Sequence, residues 1–219
     1  MLKNTNRNIF LKSPDRKRSS LYQKAIEYVS KHYFISPNDL KCKNIFRQYV
    51  EKLQSDGYIE KYYDGTYVSK FFKEEPAFAS FIYTCKRIPK GVICLLSALE
   101  YHDITTQVPY QIWVCTPYNF IEPKNFPYAL SVTRASEEAL KVGVIEEKVA
   151  GNWIRVFNAA KTVTDCFKFR NKIGINIAIE ALRDGLAKKK FSLNELHQYA
   201  KLNRVDKVMK PYIEGITNE

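Results

Sequence analysis

The dipeptide Asp64-Gly65 lies between two short runs rich in tyrosine and β-branched residues, 58–63 and 66–69. This arrangement is the strongest short-range signal for a β-hairpin, because Asp and Gly tolerate the positive φ angles of a tight turn. Three stretches with helical spacing of apolar residues precede the hairpin. The chain therefore begins its ordered part with three helices and a hairpin, an order that few folds accommodate.

Each of the three helices is predicted from its own local signal. Apolar residues recur every three or four positions between Ser20 and Tyr33. Ser36 and Pro37 suit the N-cap and the first position of a short second helix. A turn at residues 41–43 leads into a third helix that ends near Gly57. Its apolar face comprises Ile45, Phe46, Tyr49, Val50 and Leu53.

Three helices followed by a hairpin resemble the winged helix-turn-helix. In such modules, side chains at the start of the second helix of the pair meet base edges and phosphates. Arg can contact guanine, and Asn or Gln can contact adenine, through paired hydrogen bonds. The candidate DNA contacts are therefore Lys43, Asn44, Arg47 and Gln48.

Two other interpretations of this polar face remain open. Polar residues opposite an apolar stripe are usually a solvated surface, and winged helices also serve as protein–protein modules. Lys61 in the hairpin is a further candidate DNA contact, whereas the acidic tip at Asp64 repels phosphate.

The net charge of +12 points to a polyanionic partner, but it is unevenly distributed. Residues 1–20 and 161–219 each carry +5, whereas 21–75 and 76–160 each carry +1. The N-terminal arm contributes Arg16, Lys17 and Arg18, which we include among the candidate DNA contacts. A solvated, disordered tail is the alternative for this arm.

The rest of the chain predicts a mixed sheet followed by helices. A helix is expected over 91–101 and strands over 111–116, 128–134, 143–149 and 152–157, and further helices are predicted over 159–169, 174–189, 192–203 and 206–216. The predicted class is α+β: an N-terminal winged helix-turn-helix and a mixed-sheet domain ending in a helical cluster. We expect a basic arm at 1–18, a DNA-binding domain at 19–75 and a second domain at 76–219.

Several classes of protein are disfavoured by the composition. The five Cys form no Cys-x-x-Cys pair and the three His lie apart, so neither a metal site nor a disulfide framework is expected. Glu146-Glu147-Lys148 is only a weak match to a nuclease element, and no Gly-rich phosphate loop occurs. No apolar run approaches the length of a membrane span or signal peptide. We therefore expect a cytoplasmic protein that contacts no membrane, uses no cofactor and is not an enzyme.

Several blocks of the second domain resemble abortive-infection antitoxins of the AbiEi type. Two of them are Pro89 to Leu99 and Tyr101 to Pro109 (YHDITTQVP). The others lie at 158–170, 178–184 and 204–212. One departure is Asp103, where the family usually has glycine.

The resemblance implies the antitoxin of a type IV toxin–antitoxin operon. Such a protein represses its own promoter through the winged helix and counteracts a nucleotidyltransferase-like toxin, without a stable complex being expected. The candidate antitoxin residues are His102, Thr106, Gln107, Lys161, Asp165, Lys168, Arg170 and Arg183. A transcriptional regulator without antitoxin activity and an enzyme that modifies the toxin or nucleic acid are the alternatives.

Residue chemistry alone also offers structural roles for these side chains. His102 and Asp103 can belong to a capped helix end. Lys161 with Asp165 forms an i, i+4 pair that is usually exposed. The alternative is that Asp165, which lies among Val163, Cys166 and Phe167, is partly buried and ties down the helix. The lysines at 188–190 suit a helix C-terminus in water.

Overall fold

The computed structural model describes residues 20–45 and 47–217. Its first part has the order α1 (Ser20–Lys31), β1 (Phe34–Ile35), α2 (Pro37–Lys41), α3 (Arg47–Ser55), β2 (Ile59–Lys61) and β3 (Tyr67–Ser69). The three strands form an antiparallel sheet in the order β1-β3-β2. The three helices and the hairpin of the predicted winged helix are present, and β1 is an additional strand that was not predicted.

Local signals account for these elements. Ser36 caps α2 in a reciprocal capping box with Asp39, and Pro37 lies in the first turn. Asp64 (φ 45°) and Gly65 (φ 71°) both have positive φ, and the Thr66 amide donates to the Tyr63 carbonyl at 2.8 Å. The hairpin therefore turns through a type I′ turn.

The second part contains a five-stranded mixed sheet in the order β6-β5-β4-β8-β7. Its strands are β4 (Val92–Ile93), β5 (Ile112–Pro117), β6 (Leu130–Ala135), β7 (Val144–Val149) and β8 (Asn152–Phe157). Its helices are α4 (Ala79–Arg87), α5 (Leu95–Tyr101), α6 (Ala159–Lys168), α7 (Arg170–Ile173), α8 (Ile175–Ala187), α9 (Leu193–Leu202) and α10 (Asp206–Thr217). The predicted α+β class with a terminal helical cluster is confirmed.

Two apolar clusters involve this sheet. The larger joins α5 and β5 to the C-terminal helices, with Phe157, Val163 and Phe167 in its interior. The other joins α4 to β8 and also takes in Phe34 of β1. The winged helix is thus packed against the second part by buried side chains.

The structure corrects the helix predicted over 91–101. Val92–Ile93 forms β4, and α5 begins only at Leu95. β4 is fully buried, so its apolar run cannot be distinguished from that of a buried helix by periodicity. Gly91 matters here because an added Cβ would lie 2.8 Å from Ile88 Cγ2 and 2.9 Å from Val114 Cγ2.

Candidate functional site

The start of α3 presents two of the predicted DNA-contacting side chains to solvent. Arg47 and Gln48 are both exposed. The Arg47 side chain is 92% exposed, and its Nε lies 3.7 Å from Glu51 Oε1. An exposed ion pair of this length is weak. The guanidinium therefore remains available to a ligand.

Lys43 and Asn44 are both exposed. Lys43 lies in a turn, as predicted, whereas Asn44 does not lie on the third helix as the sequence predicted. They occupy the turn between α2 and α3, where Asn44 adopts a left-handed conformation with φ 57°. Asn tolerates this conformation better than most residues. The four predicted contacts are consequently divided between the turn and the first turn of α3. Phe46, assigned to the apolar face of that helix, lies outside the described residues.

The tip of the wing contacts the second part of the chain. Asp64 forms an ion pair with Arg87 of α4. The hydroxyls of Tyr62 and Tyr128 are hydrogen-bonded at 2.8 Å. The acidic charge at the tip is thereby balanced, and the tip is anchored. Lys61 is exposed at the end of β2. Arg16, Lys17 and Arg18 lie outside the described residues.

His102 ends α5 and is bound to the strand that precedes α6. Its Nε2 donates to the Phe157 carbonyl oxygen at 2.7 Å. Burial lowers the pKa of His102, so the neutral ring is favoured. The amides of Asp103 and Ile104 donate to the carbonyls of Glu100 and Leu99, as in a Schellman motif. The structural interpretation of His102 as part of a helix end therefore describes its contacts.

Asp103 has φ 56°, at the position after the helix cap where glycine is most common. This conformation favours glycine, and aspartate tolerates it better than most residues. Lys188 Nζ donates to the Asp103 backbone oxygen at 2.6 Å and to Oδ2 at 3.0 Å. Lys188 is therefore bound at the end of α8, rather than simply solvated as predicted.

The threonines after Asp103 are held by the same helix. Glu180 Oε1 accepts from the Thr106 amide at 2.6 Å and from its hydroxyl at 2.9 Å. It also accepts from the Thr105 hydroxyl at 3.4 Å. Gln107 is exposed, and its amide donates to Thr105 Oγ1 at 3.1 Å. Glu180 of α8 and Lys188, the C-cap of that helix, thus fix the loop that follows α5.

Lys161 and Asp165 form a buried ion pair within α6. Nζ lies 2.7 Å from Oδ2, and the two side chains are 8% and 9% exposed. Asn203, the C-cap of α9, donates through Nδ2 to Asp165 Oδ1 at 2.7 Å. Of the two possibilities weighed from the sequence, the structure has the buried pair. Its contacts join α6 to α9.

Phe157 connects the Lys161 pair to His102. Lys161 Nζ lies 3.9 Å from the centroid of the Phe157 ring, a cation–π distance. The Phe157 carbonyl accepts from His102 Nε2 and from the Thr162 hydroxyl at 3.1 Å. Candidate residues from separate sequence blocks are therefore brought into one polar network.

The remaining basic candidates lie along α6 to α8. Lys168 is exposed, with Nζ 6.0 Å from the Phe169 ring centroid. Arg170 is half-buried, and its Nη1 donates to the Phe167 carbonyl at 2.9 Å. Arg183 is exposed on α8. Lys168 and Arg183 thus present charge to solvent, whereas Arg170 also ties the end of α6.

The cysteines form no disulfide within the described residues. Cys42 is exposed, and the other four are buried. Burial raises the pKa of the Cys85 thiol to about 11 and raises those of Cys94 and Cys166 well above the usual value. The protonated thiol is therefore the stable form at neutral pH, and it is a poor nucleophile.

Sequence reasoning missed several residues that organise this network. Glu180 lies in one of the blocks that resemble the antitoxin family, but nothing in its spacing indicated the threonine contacts. Asn203 ends a helix and could be recognised only as a cap. Their partners are distant in sequence, so no local pattern reveals them.

Among residues 20–45 and 47–217, no group of three or more His, Cys, Asp or Glu side chains is arranged to hold a metal ion. No helix in the same residues is long and apolar enough to cross a membrane.

Comparison of the sequence with known families and with curated proteins finds no match. Among solved structures, it is similar to the crystal structure of the RV2827C protein from Mycobacterium tuberculosis, with 12% sequence identity and a TM-score of 0.49. That alignment covers 85% of this chain and 73% of the other.

Proposed function

We propose that this protein is the antitoxin of a type IV toxin–antitoxin system. In this proposal the winged helix binds operator DNA and represses the protein's own operon. The second part counteracts a nucleotidyltransferase-like toxin without forming a stable complex and without catalysing a reaction. The protein acts in the cytoplasm and needs no cofactor.

The observation that carries the DNA-binding half is the exposure of the α2–α3 corner. Lys43 and Asn44 in the turn and Arg47 and Gln48 at the start of α3 are all exposed. They occupy the position from which helix-turn-helix modules reach the major groove. The wing tip is anchored by Asp64 and Arg87, which leaves this corner as the better candidate for base contacts.

The test replaces Arg47 and Gln48 by alanine in the full chain and measures retardation of the upstream DNA. We expect loss of specific binding, since a bidentate base contact contributes about 1–3 kcal/mol of discrimination. The control is Gln23→Ala with Lys24→Ala, which likewise removes one Gln and one cationic side chain, here from exposed positions on α1. Unchanged binding by the α3 variant would show that α3 does not read the operator.

Phosphate contacts are expected to come mainly from regions outside α3, because residues 21–75 carry a net charge of only +1. Deleting residues 1–18 should therefore reduce the dependence of binding on salt concentration. An unchanged salt dependence would remove the arm from the proposed interface. Neutralising Lys189 and Lys190, both exposed, tests the basic C-terminal helices in the same way.

The antitoxin half is supported by the resemblance and by the network that joins its blocks. His102, Lys161 and Glu180 come from three different blocks, and hydrogen bonds or ring contacts link each of them to the second part's core elements. Co-expression of the full chain with the product of the adjacent gene tests this half. The Arg47→Ala, Gln48→Ala variant should still relieve growth arrest, because DNA binding and toxin antagonism are proposed to be separate.

The alternatives give different results in the same assay. A regulator without antitoxin activity would not relieve growth arrest in any form. An enzyme would lose rescue on His102→Ala or Asp165→Ala while keeping its thermal stability. We expect both substitutions to lower stability, because both side chains hold buried contacts.

A further inference from the structure

A cavity of about 470 Å³ lies where the chain leaves the winged helix and passes over α5 and β5. Its volume falls within the range of small-molecule sites. The residues that define its chemistry are Glu75, Phe78, Phe81, Glu100, Gln111 and Tyr128. The cavity is separate from the α2–α3 corner and from the contacts that link Lys161, Phe157 and His102. Neither half of the proposed function therefore uses it.

The cavity is lined by acidic residues, although the whole chain is basic. The protein carries +12, yet the cavity has Glu75 and Glu100 in its lining and neither Lys nor Arg. Among the hydrogen bonds and ion pairs of the described residues, none involves either carboxylate. Burial raises the pKa of Glu100, with no compensating contact. Glu100 is half-buried, whereas Glu75 is exposed. A half-buried carboxylate without a partner is a favourable site for a cation.

Aromatic rings provide the rest of the recognition surface. Phe78 stacks on Phe81 at a centroid distance of 5.2 Å and packs at an angle against Tyr101 at 5.0 Å. Tyr128 is fixed by its hydrogen bond to Tyr62. Aromatic faces attract cations and flat groups, and these rings are held before any ligand arrives.

We propose that this cavity binds an organic cation, an amidinium, guanidinium or ammonium group on a flat or aliphatic body. The carboxylates of Glu75 and Glu100 receive the charged group, and the rings of Phe78, Phe81 and Tyr128 cover the body. This site adds a small-ligand function to the proposed DNA binding and toxin antagonism, and it does not depend on either.

The first test uses benzamidine and benzamide as a matched pair of probes. Titration calorimetry measures the binding of each probe to the full chain. The two molecules have nearly the same shape, but only benzamidine is charged at neutral pH. We expect benzamidine to bind at least about tenfold more tightly, because a hydrogen bond to a charged group contributes more than a neutral one. Equal affinities would overturn the proposal.

The second test locates the site with conservative variants. Glu100→Gln and Glu75→Gln each keep the side-chain shape and should weaken benzamidine binding by about tenfold. Glu74→Gln is the control, because Glu74 is exposed like Glu75 but does not line the cavity. Thermal unfolding of each variant establishes that the fold is intact. Equal weakening by the control, or full affinity in both cavity variants, would contradict the assignment.

The source of the cation is distinguished by two further probes, agmatine and N-acetyl-arginine methylamide. Tighter binding of agmatine identifies a free metabolite as the ligand class, whereas tighter binding of the capped arginine identifies a partner's side chain. Either result supports a cation site. No saturable binding of benzamidine or of these probes up to about 10 mM would overturn it.

Discussion

The side-chain amide of Asn152 binds both backbone polar groups of Phe34, which lies 118 residues earlier in the chain. Oδ1 accepts from the Phe34 amide at 3.1 Å, and Nδ2 donates to the Phe34 carbonyl at 2.8 Å. The Tyr33 amide also donates to the Ala150 carbonyl at 3.0 Å. The β7–β8 turn therefore pairs with β1 of the winged helix, and this pairing fixes how the winged helix sits on the second part.

Replacing Asn152 by alanine should destabilise the protein by about 2 kcal/mol or more, because two buried backbone groups lose their partners. Urea unfolding measures the change. Asn194→Ala, at an exposed position on α9, is the matched control and should stay within about 0.5 kcal/mol of the unmodified chain. Equal stability of the two variants would mean that the Phe34 contacts contribute nothing.

Gly151→Ala should disrupt the same contact by a steric route. A Cβ at Gly151 would lie 1.9 Å from the Lys31 backbone oxygen, and the residue has φ +78°. The added methyl group would meet backbone atoms rather than a flexible side chain, and alanine is strained at this φ. We therefore expect the free energy of unfolding to fall by about 2 kcal/mol or more. The measurement is thermal unfolding.

Gly215→Ala provides the comparison for Gly151. It lies in α10 with open space around the position of an added Cβ, and alanine favours helix there. This variant should be unchanged or more stable by up to about 1 kcal/mol. If Gly151→Ala behaves like Gly215→Ala, the close approach of the two segments is wrong.

Lys161→Met should destabilise the protein by about 3–5 kcal/mol, since it leaves the Asp165 carboxylate buried without its cation. Lys210→Met is the matched control, because Lys210 and Glu214 form an i, i+4 pair in solvent. The control should cost less than about 1 kcal/mol. Chemical unfolding measures the loss of stability in both variants. Similar losses would mean that the Lys161–Asp165 pair is exposed to solvent rather than buried.

The stability of the protein should fall as the pH drops below about 6.5, the ordinary pKa of histidine. Burial lowers the pKa of His102 in the folded chain, so the unfolded chain binds the proton more tightly. The stabilisation is complete above the unfolded pKa and is lost as the pH falls through the folded pKa. Burial also lowers the pKa of His32, which adds to the trend.

Unfolding curves across the range from pH 7.5 to about pH 5 test this dependence. His102→Gln keeps a hydrogen-bond donor and should flatten the profile, leaving the part due to His32. His197→Gln replaces an exposed histidine on α9 and should retain the profile of the unmodified chain. A profile that His102→Gln does not alter would contradict the buried, neutral ring.

The elements predicted best are those whose signals are local. Ser36 caps α2 and Pro37 lies in its first turn, as predicted, and Asp64-Gly65 forms the predicted turn with positive φ. β4 was misassigned because a short buried strand has no polar face to reveal its period. α4 was not predicted at all, since its N-cap, Phe78, has a left-handed conformation and makes no side-chain capping hydrogen bond.

In the candidate site, too, local sequence signals predicted some features, and contacts between distant segments decided the others. The exposure of Arg47 and Gln48 follows from the apolar stripe on the opposite face of their helix. The sequence predicted Lys188 only as a solvated lysine at a helix C-terminus, because its partner Asp103 is 85 residues away. The buried state of Lys161 was open for the same reason: α9, which supplies Asn203, is placed only by packing.

The sequence by itself determined the order of the three helices and the hairpin, the hairpin turn and the polar face of α3, because capping, turn chemistry and helical periodicity act over a few residues. The tertiary structure alone decided that Asn152 binds Phe34, that Asp64 meets Arg87 and that Glu75 and Glu100 share a cavity. Those relationships depend on the burial of apolar surface between distant segments, which brings together polar groups that no local pattern connects.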